Sequence, residues 1–193
     1  MRCKSLVIFC FASSLLFFFL FLQGSVVHVS AERVLLPTFG KGKIQVRIYT
    51  DYFCGPCGRL EPKMEQLLLN LVKKDKVTVT LIDTPIHAHT MLYARQFLYI
   101  LKENDEFHHA LRTRGVLFEA AKSGITEKER LEEYLRKRKV RFRPFDTKPT
   151  YAALNALLAQ DRIASTPTCV IYYGDKKGVY KGEREITQAL ELL

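Results

Sequence analysis

Cys54-Gly55-Pro56-Cys57 lies where the chain changes from a strand pattern to a helix pattern. That placement restricts the fold more than any other feature. Ile44-Gln45-Val46-Arg47-Ile48-Tyr49-Thr50 is rich in β-branched and aromatic residues and reads as a strand. Beyond the cysteines, Leu60, Met64, Leu67, Leu68 and Leu71 recur at helical spacing. Two thiols separated by two residues at such a turn can close a small disulfide ring. A helix N-terminus favours negative charge, so the first thiol is placed to act as a thiolate, the nucleophile of disulfide exchange, and the second to resolve the mixed disulfide. In this setting the pair reads as a redox motif before a metal site.

The chain of 193 residues has room for one domain. Arg2 and Lys4 precede an apolar run from Leu6 to Leu22, and Val29-Ser30-Ala31 supplies small side chains. That order reads as a secretory signal peptide over residues 1–31, cleaved after Ala31. The alternative is an uncleaved membrane anchor, because the apolar run approaches spanning length. Val7-Ile8-Phe9 before Cys10 does not suit lipid attachment. The remaining domain, residues 32–193, keeps Cys54, Cys57 and Cys169. That is too few for a disulfide-stapled scaffold, so apolar packing must supply the core. An exported protein without a second spanning stretch is expected in the periplasm or an equivalent oxidising space.

Lysine and arginine number 30 against 20 aspartate and glutamate, and much of the excess sits in Arg136-Lys137-Arg138-Lys139, Arg141 and Arg143. An anionic partner would use such a run, but no nucleic-acid recognition motif accompanies it. The run reads as a solvated helix end whose cations complement the helix C-terminus, and no nucleic-acid partner is expected.

Along the chain, a first strand over Lys43–Tyr49 and the helix after it lead to a second strand over Val77–Ile82, ended by Asp83-Thr84-Pro85. Four helical segments follow: Leu92–Leu101, Glu106–Lys122 stopped at Ser123-Gly124, one with Thr126 as N-cap and Glu129 three residues on, and Pro149–Ala159. Thr168–Tyr173 and Val179–Lys181, joined by Gly174–Gly178, read as a β-hairpin, and Glu183–Leu193 as an amphipathic helix. The order describes an α/β fold with a helical insertion at about residues 85–163 in one compact unit.

Three features converge on a family: the CxxC pair after a strand, Pro62 inside the following helix, where a kink is expected, and Thr166-Pro167-Thr168 directly before the hairpin. Together they resemble the thioredoxin superfamily. The helical block, with Pro85-Ile86-His87-Ala88-His89 and Glu106-Phe107-His108-His109-Ala110-Leu111, resembles the DsbA-like periplasmic thiol:disulfide oxidoreductases. The resemblance implies a thioredoxin-like fold with an inserted helical domain. Cys54 would be the exposed nucleophile and Cys57 the buried resolving thiol. Thr166 and Pro167, joined by a cis bond, would face the pair, and the Thr166 backbone would bind an extended substrate segment. Gly55 and Pro56 would tune the potential. The implied partners are cysteine-bearing polypeptides and a membrane redox partner, either a quinone-linked oxidase or an electron donor. No cofactor is implied, and with no separate dimerisation domain a monomer is expected.

Two departures bear on the chemistry. The family often carries a buried acid six positions before the first cysteine, and Ile48 stands there. Asp51 or water is then left as proton acceptor for the resolving thiol. Gly-Pro between the cysteines is also the dipeptide of reducing thioredoxins. The compartment and the helical insert favour the oxidase direction slightly, against a reductase or isomerase. A reading of another class is a thioredoxin-fold binding or metal-handling module whose CxxC does not turn over. Zinc would need a second ligand pair; His87 and His89 could supply one, but read instead as the exit from the strand. Cys169 reads as a buried apolar residue, and His108 and His109 as surface and partial core. Tyr49, Tyr52 and Phe53 suit either a substrate platform or strand packing.

Overall fold

Strand β2 (Ile44–Thr50) runs through the middle of the molecule, with every residue after Arg47 buried. The computed structural model describes residues 34–193; the expected signal peptide lies outside them. β2 pairs in parallel with β3 (Val77–Asp83) and antiparallel with β4 (Thr168–Tyr173). Short β1 (Thr38–Phe39) lies outside β3, and β5 (Lys176–Lys181) outside β4, giving the order β1-β3-β2-β4-β5.

Side chains alternate between the two faces of the sheet, as a strand period of two requires. Val46, Ile48, Val79, Leu81, Cys169 and Ile171 enter one large core. Helix α1 (Gly55–Lys73) and the closing α6 (Gly182–Glu191) contribute to it through Leu60, Met64, Leu68, Ile186 and Leu190. So do three of the four helices between β3 and β4: α2 (Thr90–Glu103), α3 (Phe107–Lys122) and α4 (Lys128–Lys137). The fourth, α5 (Lys148–Asp161), covers the opposite face, where Leu154 packs with Tyr49, Ile82 and Val170. Asp161 closes that face. Its buried carboxylate accepts hydrogen bonds from Tyr49 at 2.5 Å, Lys177 at 2.7 Å, Arg47 at 3.1 Å and the Tyr172 hydroxyl.

Two elements differ from the sequence reading. Thr126 does not cap α4, which starts at Lys128 after the extended Glu127. Ile125 is drawn into the core and its carbonyl accepts the Tyr93 hydroxyl at 2.6 Å, so tertiary anchoring sets the helix entry one residue later. The hairpin loop is only Gly174-Asp175, and Lys176-Lys177-Gly178 belong to β5. Gly174, at φ +63, takes the first turn position, where tight hairpins need a positive φ. The lysines that resemble a loop lie on an edge strand, where such charges discourage pairing with another chain. Pro62 sits inside α1, which continues to Lys73; the missing amide leaves the Gly58 carbonyl without its helical donor.

Candidate active site

Three chain ends meet at one end of the sheet: the exit of β2, the exit of β3 and the entry to β4. Cys54 is the N-cap residue of α1, with extended backbone (φ −81, ψ 111). Its amide donates to the Asp51 carbonyl at 3.1 Å, and its carbonyl accepts the first helical bond from Gly58 at 3.1 Å. Pro56 falls in the first turn, where an amide hydrogen is not needed. Across a gap of 112 residues, the Cys54 thiol reaches the Thr166 carbonyl at 3.4 Å, and the Thr166–Pro167 bond is cis. Both cysteines are free thiols. Cys54 keeps 9% of its surface exposed and Cys57 none. Burial pushes the Cys57 thiol up to about 12; its hydrogen bond with Cys54 adds to that, while the Thr166 side chain works in the opposite direction. The Thr166 backbone thus meets the Cys54 thiol directly.

Ile48 and Cys169 are ladder partners beneath α1, both fully buried. Two apolar side chains therefore line the region where the resemblance puts a buried acid. Burial alone pushes the Cys169 thiol up, in keeping with a packing role.

Asp51 cannot serve as the missing acceptor, because its carboxylate is fully committed. It receives the amides of Phe53 at 2.8 Å, Ile86 at 2.9 Å and His87 at 3.0 Å, and the Thr90 hydroxyl at 2.7 Å. The His87 ring lies 3.1 Å away through Nδ1. Burial opposes the charge of Asp51, but the bonds from Thr90, His87 and Phe53 outweigh it and hold its carboxyl below the usual range. Asp51 ties the cysteine turn to the segment that opens the insertion.

A buried charge cluster beneath the turn escapes sequence reading. Arg114 of α3, with no exposed side chain, donates from Nε to Glu61 at 2.9 Å, from Nη1 to Asp83 at 2.7 Å, and from Nη2 to Thr50 at 2.6 Å. The Tyr52 hydroxyl donates to Asp83 at 3.1 Å. Glu61 Oε2 has no hydrogen-bond partner among the described residues. Burial raises the Glu61 carboxyl, against the attraction of Arg114. Glu61, Phe53, Cys54 and Gly58 help to line a cavity of about 790 Å³ between α1 and α3. The signal for this cluster is one charge of each sign set into an apolar helix stripe: Glu61 among Cys57, Met64 and Leu68, and Arg114 among Leu111, Leu117 and Phe118.

The remaining candidates fall on either side of this site. His87 is engaged with Asp51, and the His89 ring lies 5.8 Å from Phe53. His108 is exposed and His109 half-buried. Tyr49 and Tyr52 are buried in the packing, while Phe53 is half-buried at the cavity. The basic run is met by acids: Arg136 by Glu132, Lys137 by Glu133, Arg138 by Glu119, and Arg141 and Arg143 by Glu103.

No protein-family model and no curated protein matches the sequence. Solved structures do match. The catalytic domain of Proteus mirabilis ScsC superposes with a TM-score of 0.61 at 21% identity, covering 84% of this chain and 88% of that one. The fold is thioredoxin-like, of the DsbA and ScsC kind. A periplasmic thioredoxin-like protein from Salmonella enterica serovar Typhimurium gives 0.60 at 21% identity, over 80% of this chain and 87% of its own. A single-substitution variant of Wolbachia pipientis alpha-DsbA1 gives 0.61 at 12%, over 82% and 90%. In this DsbA-like fold the Cys54–Cys57 pair and the Thr166–Pro167 bond stand at the exit of the central strand and the entry of its neighbour. Among the described residues, no helix is long and apolar enough to cross a membrane.

Proposed function

We propose that the protein is an exported thiol:disulfide oxidoreductase that exchanges disulfides with cysteine-bearing polypeptides through Cys54 and Cys57. The observation that carries this reading is the asymmetry of the pair. Cys54 caps a helix and, though largely buried rather than exposed as expected, keeps 9% of its surface open beside the Thr166 carbonyl, while Cys57 lies wholly buried one turn behind it. Cys54 attacks and holds the mixed disulfide, and Cys57 displaces the bound sulfur. The backbone of Thr166 receives an extended stretch of the substrate chain, and Gly55 and Pro56 set the stability of the Cys54 thiolate. Signal cleavage after Ala31 would leave residues 32–193 as the working protein.

The direction we favour is oxidation, supported by the export signal and the DsbA-like insert; a quinone-linked membrane partner would restore the disulfide. Reduction, fed by a membrane electron donor, is the second reading, and it draws on Gly55-Pro56 and Ile48. A redox titration of the pair separates them. A potential towards about −120 mV supports the oxidase, and one towards about −270 mV, with the pair reduced in cells, overturns it. Insulin-disulfide reduction by the 32–193 protein, compared with Cys54→Ser, tests the enzyme itself. Equal rates for the two would leave a binding module.

A further inference from the structure

We propose that the cavity between α1 and α3 is a second binding site beside Cys54, for a small disulfide that carries carboxylate groups; the inference rests on the exchange reaction proposed above. At about 790 Å³ the cavity lies within the range of about 300–1,000 Å³ usual for small-molecule sites. Cys54 and Phe53 belong to its lining, whereas Thr166 and Pro167, which receive the polypeptide in the reading above, do not. Two glycines keep the space open: Gly58 of α1 and Gly115 of α3 both line it. Glycine is a poor choice inside a helix, and neither position needs it. Neither has a positive φ. A Cβ at Gly115 would meet nothing within 4 Å, and one at Gly58 only Phe118 Cδ1 at 3.7 Å, an ordinary contact. Side chains at these positions would take up the room that an occupant needs.

The charges choose the occupant. Arg112 and Lys122 of α3 line the cavity, are exposed, and make no ion pair or side-chain hydrogen bond among the described residues. Arg136, Lys137 and Arg138, by contrast, each meet an acid. Of the lining acids, Glu119 faces Arg138 at 4.0 Å and Glu61 faces Arg114 at 2.9 Å, which leaves Glu65 of α1 without a cation among the described residues. Two free cations on one wall suit carboxylates, and Glu65 on the other suits an ammonium group. Glu61 is 4% exposed and its Oε2 has no partner, so an N–H donor that reaches this wall gives it the bond it lacks. Phe53, Val116 and Phe118 supply apolar surface for the body of the occupant. Beside a nucleophilic sulfur, these groups describe a disulfide of the amino-acid or short-peptide type.

The Cys54 thiolate attacks one sulfur of the small disulfide; the bond to Cys54 forms as the S–S bond breaks, and one small thiolate leaves. Cys57 then gives its proton to solvent, and its sulfur closes the Cys54–Cys57 bond as the second small thiolate leaves. The pair loses two electrons and the small disulfide gains them. The two released thiolates take up, from solvent, the two protons that the cysteines gave. Such an oxidant restores the Cys54–Cys57 disulfide from solution.

The test compares two oxidants of the reduced full-length protein: glutathione disulfide, which carries carboxylates and N–H groups, and hydroxyethyl disulfide, which carries neither. The readout is the ratio of their oxidation rates, because the intrinsic chemistry of the two disulfides cancels between variants. Gly115→Leu fills the cavity without changing charge and should lower the ratio about tenfold, the scale of one lost charge-assisted contact. Arg112→Ala with Lys122→Ala should lower it by a similar factor. An unchanged ratio in folded Gly115→Leu overturns the proposal even if the double substitution lowers it, since the cations then act only as long-range attraction. Equal slowing of both oxidants in Gly115→Leu also overturns it. If Gly115→Leu does not fold, S-methylglutathione, which cannot exchange, decides on the unsubstituted protein. It should shift the amide signals of Gly58, Gly115 and Val116; shifts confined to the surroundings of Thr166, or none, overturn the proposal. Failure of both disulfides to oxidise the unsubstituted protein would instead refute the exchange reaction itself, and S-methylglutathione would still decide the binding site.

Discussion

The two thiols three residues apart are held in different environments, and the difference is large enough to measure. With burial pushing Cys57 up to about 12, its thiolate fraction at neutral pH is on the order of 10⁻⁵, against a few per cent for a free cysteine. Alkylation of the reduced protein at pH 6–7 should therefore label Cys54 first, as peptide mapping would show. Cys57→Ser should accumulate mixed disulfides through Cys54, and prior labelling of Cys57 would reverse the assignment. Arg114 has the opposite character, a residue whose value lies in what it neutralises. Arg114→Leu strands Glu61 and Asp83 without their cation. Removing one partner from a buried pair costs about 3–5 kcal/mol, so urea unfolding should shift by that amount. A loss below about 1 kcal/mol would show that the cluster relaxes into water.

At the scale of elements, α5 is held to its face of the sheet by a small apolar patch and by Asp161. Burial opposes the charge of this carboxylate, but bonds from Lys177, Tyr172, Tyr49 and Arg47 lower it to about 2 from an ordinary 3.8. A lowered folded-state value means stability that is present above the unfolded value and lost as pH falls through the folded one. The shift corresponds to about 2 kcal/mol. Asp161→Asn should thus lower the melting temperature by a constant margin between pH 5 and 7. The margin should narrow below about pH 4 and close near pH 2; a margin that widens in acid would contradict the assignment. The element order is readable from the sequence because periods of 2 and 3.6 persist over whole segments, and Cys54, Cys57, Thr166 and Pro167 are readable because their spacing to strand and helix is local. Glu61, Arg114 and Asp161 are hidden for a physical reason: each takes its meaning from partners on other elements, from 11 to more than 100 residues away. The entry to α4 escapes on the same ground, since Tyr93 fixes it from another helix.

For the molecule as a whole, the candidate site is set by ladder register, with Tyr49 facing Ile82 on one side and Thr168 on the other. β2 and β3 run together and β4 runs against them, so two exits and one entry fall at the same end of the sheet. The helices between β3 and β4 then add walls without changing the distance from Cys54 to Thr166. Asp51 is where this wall is attached. Asp51→Ala should free the segment around Pro85–Thr90, seen as faster amide exchange at Ile86 and His87, while the Tyr49–Thr168 ladder stays protected. Equal exchange in both proteins would show that the carboxylate is not the anchor.

The same register has a consequence in time. Cys54 and Cys57 leave the ribosome early, and Thr166, which meets the Cys54 thiol, follows 112 residues after it. Contacts between such distant residues close late, since the intervening chain must order first. A newly made chain therefore carries its thiols bare through most of its folding. Whatever oxidant or partner it meets in that interval finds a CxxC peptide, not yet a folded site.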